Sequence, residues 1–335
     1  MFFLRKYFFV AVLLFSVMFT GISDAGELKI GSCIYTFNDA FMTRYRNAMA
    51  DEAKKAGVEL QIMDSQNSQS LQDEQVDELI EAGLNVLILN PVDRMEAGNL
   101  IEKAKAANIP VVFINRQPVA EVLSNYDRAF YVGSLAEESG RFSGEIIVDY
   151  FKAHPEADKD HNGKIEFIML KGENGHQDMI ARSKYSVEAI EKSGIFKPVE
   201  LGSALANWDK FMAMTIMNAF IMSIGTDEIE AVIANNDEMA LGAVEALKAN
   251  DFNTGDPEKF IPVVGVDGNP AAIEAMKNHE IIGTVLQDAE TCGSVAVKLA
   301  VALAQNKTPD KNITGYELID GRYFWIPYKK KTEGE

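Results

Sequence analysis

From residue 28 onward, short apolar runs alternate with segments of helical spacing, and this alternation constrains the fold more than any other feature of the chain. The runs at 84–89 and 109–114 are almost continuously apolar, as is typical of strands buried on both faces of a parallel sheet. Gly83 ends the helical segment before the first of these runs, in the position of a left-handed C-cap. The pattern predicts parallel sheets with right-handed helical crossovers.

The same alternation continues through the second half of the chain. Further strands are predicted at 28–35, 58–63, 165–170, 196–201, 231–234, 261–266 and 282–286. Helices are predicted at 41–56, 71–82, 95–107, 137–152, 179–192, 210–222, 239–248 and 271–277. A chain of 335 residues is too long for one ordinary core and suits two domains of about 150 residues each. We therefore predict two similar α/β lobes.

The charge and the missing motifs restrict the function. The net charge is −18, which repels phosphate backbones and anionic membranes, so nucleic-acid binding is not expected. A neutral ligand such as a sugar is unaffected. No dinucleotide fingerprint, P-loop, nucleophile elbow or zinc-protease helix occurs in the sequence, and the four histidines lack metal-ligand spacing. We predict a binding protein and not an enzyme.

Residues 1–25 have the pattern of a secretory signal peptide. Arg5 and Lys6 precede an apolar run over 7–19, and small residues end at Ala25. That run is shorter than the roughly 20 residues that span a bilayer. A lipoprotein would need a cysteine at the cleavage point, whereas Cys33 lies eight residues beyond Ala25. We predict export to the periplasm.

Two cysteines remain after cleavage, Cys33 in a predicted core strand and Cys292 early in a predicted helix. An oxidising compartment would permit a disulfide, but nothing in their spacing supports one. We predict two isolated, buried thiols.

Polar residues follow five of the predicted strands, where open parallel sheets bind their ligands. In each case a neutral amide lies beside a charged group, and together they offer the donors and acceptors that a ring of hydroxyls requires. Capping of the following helix is the other interpretation, since Asn and Asp are preferred caps. The five positions are Asn38-Asp39, Asn115-Arg116, Asn235-Asn236-Asp237, Asp267-Gly268-Asn269 and Gln287-Asp288.

Several longer stretches resemble the galactose/glucose-binding family of periplasmic proteins. The similarity runs from about residue 28 to about 304, and its most specific segments are 35–42 (Tyr-Thr-Phe-Asn-Asp-Ala-Phe-Met), 64–67, 170–178, 232–237 and 264–267. The resemblance implies a protein that binds D-glucose or D-galactose between two lobes and delivers it to the membrane subunits of an ABC transporter. It also implies a monomer, with a chemotaxis receptor as a further candidate partner.

The fold implied by the resemblance is the periplasmic binding protein type 1 fold, two Rossmann-like lobes with parallel sheets joined by a three-segment hinge. The expected N-terminal lobe comprises 26–133 plus 289–309, and the C-terminal lobe 134–286 plus 312–335. The crossings are expected near Gly133-Ser134, Gln287-Asp288 and 306–312.

The family also implies the residues that hold the sugar. Phe41 and Trp208 match the two aromatic rings that stack on the apolar faces of a pyranose. Gln287 stands where the family has an asparagine, and its extra methylene leaves the choice between glucose and galactose open. The matching hydrogen-bonding residues are Asp39 and Asn115 from the first lobe and His176, Asp178, Arg182, Asn236 and Asp267 from the second.

A stretch at 158–166 has the oxygen spacing of an EF-hand calcium loop, with glycine at its sixth position. Met169 occupies the twelfth position, where an EF-hand has glutamate, and the family supplies Glu230 instead. An acidic turn without a metal is the other interpretation. The implied ligands of a structural Ca²⁺ are Asp158, Asp160, Asn162, the carbonyl of Lys164, Glu166 and Glu230.

Two rival functions share some of these features. A sugar-responsive transcription regulator has the same core, but it would begin with a helix-turn-helix and carry a basic face. A secreted sugar hydrolase would need two carboxylates flanking the scissile bond, which Asp39, Asp178 and Asp267 could supply.

Overall fold

The computed structural model describes residues 28–333. The predicted signal peptide lies outside the described residues. Within 28–333, no helix has the length and apolar character needed to cross a membrane.

Thirteen strands and eleven α-helices are found in this part of the chain. The strands are β1 (Lys29–Ile34), β2 (Glu59–Asp64), β3 (Val86–Leu89), β4 (Val111–Ile114), β5 (Ala129–Gly133), β6 (Lys164–Lys171), β7 (Lys197–Leu205), β8 (Ala231–Ala234), β9 (Val263–Asp267), β10 (Gly283–Leu286), β11 (Leu318–Ile319), β12 (Tyr323–Trp325) and β13 (Lys329–Thr332). The helices are α1 (Ala40–Ala56), α2 (Gln69–Glu81), α3 (Ala97–Ala106), α4 (Ala120–Leu123), α5 (Ala136–Ala153), α6 (Gln177–Lys192), α7 (Lys210–Ile224), α8 (Asp237–Lys248), α9 (Pro270–Lys277), α10 (Ala289–Ala304) and α11 (Lys311–Thr314).

The strands form two sheets, one for each lobe. The first has seven strands in the order β11-β12-β5-β4-β3-β1-β2, and the second has six in the order β13-β10-β9-β8-β6-β7. All pairings are parallel except that of β11 with β12 and that of β13 with β10. The predicted fold class, two α/β lobes built on mostly parallel sheets, is confirmed.

Apolar strands explain this arrangement, because β3, β4 and β8 are buried at every position and need helices on both faces. In the first lobe, α1 and α10 cover one face and α2 and α3 the other. In the second, α5 and α6 pack so closely that a Cβ at Gly144 would lie 2.3 Å from the carbonyl oxygen of Ser186. Cys33 and Cys292 are free and buried, as predicted.

The chain passes between the lobes after β5, after β10 and again between β12 and β13. The expectation of a third crossing at 306–312 is wrong. Residues 323–325 pair in parallel with β5 of the first sheet, and the Trp325 ring lies 5.4 Å from that of Tyr131. The first lobe therefore keeps the chain as far as Trp325, and the last crossing is the short segment 326–328.

An interlobe cleft as the candidate ligand site

Helix caps place several of the candidate side chains at the strand ends. Asp39 caps α1, with its Oδ1 accepting from the backbone N–H of Met42 at 2.7 Å, and Asn236 caps α8 in the same way at 3.0 Å. The capping interpretation is thus confirmed at both positions. Each side chain nevertheless also lines the cleft between the lobes, because the N-termini of these helices meet there.

All ten predicted sugar-binding residues surround one inner chamber. This chamber has a volume of about 30 Å³. Tyr35, which the sequence did not single out, completes its wall. The chamber continues into an outer cleft of about 830 Å³. The ten are Asp39, Phe41, Asn115, His176, Asp178, Arg182, Trp208, Asn236, Asp267 and Gln287.

Arg182 is the centre of a buried polar network. Its Nη2 donates to Asp178 at 2.9 Å, to Gln287 at 3.0 Å and to the hydroxyl of Tyr328 at 3.2 Å. Its Nη1 lies 3.7 Å from Asp267. The Nε of Arg182 has no hydrogen-bond partner within the described part of the chain. A buried donor without a partner needs an acceptor, which either an ordered water or a ligand oxygen can supply.

Two of these carboxylates are desolvated. Burial raises the pKa of Asp178 and raises that of Asp267 still further, while the positive charge of Arg182 opposes both shifts. Asp237, directly behind the chamber, has its pKa raised to about 7 by burial. Burial in low-dielectric surroundings disfavours the charged form of these carboxylates, and the positive charge of Arg182 offsets part of that cost.

His176 is held neutral and fixed in orientation. Burial, together with the charges of Arg116 and Arg182, lowers the pKa of His176 well below its usual range. Its Nδ1 accepts from the backbone N–H of Asp178 at 3.1 Å, so its proton is on Nε2. The ring meets the indole of Trp208 edge to face, with centroids 5.0 Å apart. A neutral donor beside an aromatic face suits a hydroxylated ligand.

The backbone adopts unusual conformations at three residues of the chamber. Asn115, Trp208 and Asp267 have φ values of 54°, 67° and 125°. Asn tolerates the left-handed region, but bulky side chains rarely enter it. Strain of this kind is typical of functional sites, where the surrounding structure enforces it.

Contacts across the cleft were not predicted from the sequence. Arg116, which follows β4, makes a two-pronged ion pair with Glu173, which follows β6, at 2.5 and 3.2 Å. The Arg116 guanidinium also lies 3.9 Å from the centre of the Tyr35 ring. The hydroxyl of Tyr35 in turn donates to Asp39 at 2.5 Å. A chain of contacts thus links the interlobe ion pair to the chamber wall.

A second bridge lies on helix α1. The guanidinium of Arg44 donates to Asn269 Oδ1 at 3.2 Å and approaches the carbonyl oxygens of Asp267 and Gly268 at 3.5 and 3.4 Å. The same side chain pairs with Glu290 of its own lobe at 2.8 Å. Arg44 therefore connects the first lobe to the strained turn that carries Asp267.

The candidate metal loop brings carboxylates together beside β6. Asp158, Asp160 and Glu230 each place an oxygen within 4.8 Å of the others. Within the described residues, Oε2 of Glu166 is buried without a hydrogen-bond partner. Burial, and then the neighbouring Glu166, raise the pKa of Glu230 to about 7. Carboxylate oxygens crowded in this way are the donor set that a hard cation such as Ca²⁺ prefers.

The other predicted ligands lie in the same loop. Asn162 donates through Nδ2 to Asp160 at 2.7 Å and to Glu166 at 3.1 Å. The backbone N–H of Lys164 donates to Oδ1 of Asn162 at 2.8 Å, and its ammonium lies 3.7 Å from Glu166. All six predicted residues therefore belong to one loop and the strand end beside it, and their role as ligands stays a prediction.

Comparison with known proteins identifies the family. Residues 30–308 match the periplasmic binding protein domain family. The chain belongs to the periplasmic binding proteins. It is 41% identical over 307 residues to the D-galactose/methyl-galactoside binding periplasmic protein MglB of Haemophilus influenzae, covering 91% of this chain and 90% of the relative.

Other periplasmic binding proteins are similar over comparable lengths. The ribose import binding protein RbsB of Bacillus subtilis is 30% identical, with 86% of this chain and 85% of the relative covered. An ABC transporter solute-binding protein of Bacillus halodurans, crystallised with bound myo-inositol, superposes with a TM-score of 0.75 at 32% identity. That superposition covers 92% of this chain and 96% of the other.

In this periplasmic binding protein, Gln287 occupies the second crossing between the lobes. Its Oε1 accepts from Arg182, and the side chain is 4% exposed. The glutamine side chain, longer by one methylene than the asparagine of the family, therefore takes part in the Arg182 hydrogen-bond network. The residue that departs from the family pattern lies in both the hinge and the chamber wall.

Proposed function

We propose that this periplasmic binding protein binds a hexose, D-glucose or D-galactose, in the interlobe cleft and delivers it to the membrane subunits of an ABC transporter. The observation that carries the proposal is the convergence of side chains from both lobes on one chamber. A ligand that contacts both lobes favours the closed form, because only that form offers all the contacts at once.

The chemistry of the chamber supports a sugar. Phe41 and Trp208 offer aromatic rings from opposite lobes, which suit the apolar C–H faces of a pyranose. Carboxylates, amides and the free Nε of Arg182 supply acceptors and donors for hydroxyls. The similarity to a galactose-binding relative supports a hexose. Relatives that bind ribose or myo-inositol make pentoses and cyclitols the necessary comparisons.

The same site argues for binding without catalysis. Asp178 and Asp267, which a hydrolase could use as its acid and nucleophile, both contact the guanidinium of Arg182. Burial raises the pKa of both, but two carboxylates bridged by one guanidinium are not placed on either side of a scissile bond, as glycoside hydrolysis requires. We propose that the protein acts as a monomer in the periplasm and that the closed form is what the transporter, and a chemotaxis receptor, would recognise.

Tryptophan fluorescence tests the hexose proposal, because the chain has two tryptophans and only Trp208 lines the chamber. We expect D-glucose or D-galactose to change the emission saturably at micromolar concentration. Such an affinity corresponds to a binding free energy of about −8 kcal/mol. Trp208→Phe should abolish the change, whereas Trp325→Phe, in the first-lobe sheet, should keep it. By calorimetry, Trp208→Ala should cost about 2–4 kcal/mol of binding. Absence of any response to hexoses would overturn the proposal.

We also propose that the loop at 158–166 binds a structural Ca²⁺. The crowded oxygens of Asp158, Asp160 and Glu230 and the unpaired Oε2 of Glu166 support it. Bound calcium would neutralise these carboxylates and tie the loop to the sheet edge at Glu230. The ion would then stabilise the second lobe without contacting the sugar.

A further inference from the structure

We propose that Asp237 is a positioning residue for hexose binding, which holds the turn 267–269 so that Asp267 presents its carboxylate to the ligand. This inference rests on the hexose site proposed above and assigns a role to a residue behind that site. Asp237 is the first residue of α8 and its side chain is fully buried, but it is not among the described residues that surround the chamber. A carboxylate in such a place is costly unless it is hydrogen-bonded.

Both carboxylate oxygens of Asp237 are used to hold the turn. Oδ2 accepts from the backbone N–H of Asn269 at 2.7 Å. Oδ1 accepts from the hydroxyl of Thr284 on β10 at 2.6 Å. The same hydroxyl oxygen accepts from the backbone N–H of Gly268 at 3.3 Å. Two successive N–H groups of the turn are therefore satisfied, one by Asp237 directly and one through Thr284, and leaving either without a partner would be costly.

The turn needs such support because the backbone of Asp267 is strained. Its φ of 125° is a conformation that residues with a side chain rarely adopt, and it persists only where the surroundings enforce it. The carboxylate of Asp267 lines the chamber and lies 3.7 Å from Nη1 of Arg182. If the N–H groups at 268 and 269 were released, the turn would relax and the carboxylate would move with it.

The contacts that hold the turn do not depend on contact between the lobes. Asp237, Thr284 and the turn all belong to the second lobe, where β8, β9 and β10 are neighbouring strands. Arg44, by contrast, reaches the same turn from the first lobe. Asp237 therefore positions Asp267 in the second lobe itself, and its role is separate from that of the interlobe contacts.

The surroundings of Asp237 leave little freedom for another side chain. A Cβ at position 265 of the neighbouring strand β9 would lie 2.3 Å from Oδ1 of Asp237, so the carboxylate fits there because residue 265 is glycine. Asparagine has almost the same shape as aspartate, but its amide nitrogen donates and cannot accept. Asp237→Asn can therefore keep only one of the two accepted hydrogen bonds, without a change in volume.

A double-mutant cycle with the mature protein tests this role. The probes are free D-glucose and D-galactose, and the fluorescence of Trp208 reports the affinity. We expect Asp237→Asn to weaken hexose binding about ten-fold or more. In an Asp267→Ala background, where the carboxylate to be positioned is absent, the same substitution should change the affinity less than about two-fold. Thr284→Val should weaken binding about three-fold or more, and Thr284→Ser, which keeps the hydroxyl, should recover most of that loss.

Asn253→Ala is the matched control for the loss of buried hydrogen bonds in the second lobe. Asn253 is 1% exposed and exchanges two hydrogen bonds of 2.9 Å with the backbone of Ile261. It is not among the described residues that line the chamber or the outer cleft. This variant should lower the melting temperature and leave hexose affinity unchanged, which distinguishes a general loss of stability from displacement of Asp267.

The outcomes separate the two proposals. If wild type binds a hexose and Asp237→Asn binds it equally well, or loses as much affinity with Asp267→Ala as without it, the positioning role is overturned while the hexose proposal stands. If Asp237→Asn does not fold, the Thr284 variants decide. A loss in Thr284→Val that Thr284→Ser recovers supports the role, and equal affinities overturn it. If wild type binds neither hexose, both proposals fail.

Discussion

Arg116 and Glu173 form an ion pair across the cleft, with two N–O contacts of 2.5 and 3.2 Å between a guanidinium that is 4% exposed and a carboxylate that is 42% exposed. The planar fork of arginine matches a carboxylate in this two-pronged geometry. Because the partners belong to different lobes, the pair exists only when the lobes are close. It therefore favours the closed form before any ligand adds its own contacts.

Breaking this pair should weaken sugar binding without touching the sugar. We expect Arg116→Ala to lower hexose affinity by about 1–2 kcal/mol, between the values typical of exposed and of buried pairs. The apparent affinity falls because less of the protein occupies the binding-competent form. Arg116→Lys should recover part of the loss, and Glu173→Gln should resemble Arg116→Ala. Calorimetry gives the affinities, and unchanged affinity in all three variants would contradict the role.

Arg44 should act in the same direction from the opposite flank. Arg44→Ala removes the contacts to the turn that carries Asp267, so we expect hexose affinity to fall by about three- to ten-fold, or roughly 1 kcal/mol. Arg46→Ala is the matched control on the same helix, because among residues 28–333 the Arg46 guanidinium hydrogen-bonds and stacks only with Phe37 and Thr43 of its own lobe. Equal effects of the two variants would exclude a specific interlobe role for Arg44.

Gly172 supports the Trp208 ring by its lack of a side chain. A Cβ at this position would lie 2.1 Å from two carbons of the indole ring. Gly172→Ala must therefore displace the ring, and we expect a loss of about 1–3 kcal/mol in hexose binding, the usual cost of overpacking. Gly98→Ala, whose new Cβ would have its nearest neighbour at 3.6 Å, should leave binding unchanged. Calorimetry on both variants decides the point.

His176 should make stability depend on pH. Burial and neighbouring arginines hold the pKa of His176 in the folded state well below its usual range. Below about pH 6.5, His176 therefore becomes protonated in the unfolded chain but stays neutral in the folded one, which favours unfolding. This contribution to stability is complete above that pH and declines as the pH falls. The loss of melting temperature between pH 7 and pH 5 should be smaller in His176→Gln than in wild type. Equal losses would contradict a neutral, buried His176.

Calcium should stabilise the protein through the loop at 158–166. We expect the melting temperature to rise by roughly 5 °C or more when calcium replaces chelator. Glu230→Gln should abolish this rise while keeping hexose affinity within about two-fold, whereas Asp149→Asn, an exposed acid on α5, should retain it. A melting temperature insensitive to calcium and chelator in wild type would rule out the site.

The sequence predicts much of the fold and of the chamber for one physical reason. Apolar runs define buried parallel strands, and the carboxyl ends of such strands converge, so polar residues at those ends must lie near one another. Asn115, Asn236 and Asp267 follow this rule, and the structure places all three around the chamber. Residues such as Phe41 and Trp208 are distinguished by the family resemblance, since periodicity alone does not separate them from core aromatics.

The interlobe contacts could not be predicted in this way. Arg116, Glu173 and Arg44 have no special spacing within their own lobes, and their pairing depends on how two separately folded cores are placed. The third crossing was missed because β11 and β12 have only two and three residues, too few to show the alternation that marks a strand. Their place in the first sheet comes from pairing with β5, which is a tertiary contact.

The short last crossing gives the ligand a direct connection to the hinge. Tyr328 lies in the segment 326–328, its side chain is buried, and its hydroxyl is 3.2 Å from Nη2 of Arg182. A ligand oxygen that contacts Arg182 would therefore meet a side chain that is already hydrogen-bonded to the crossing segment between the lobes. A single hydrogen bond thus separates the ligand-contacting side chain of Arg182 from the segment that connects the two lobes.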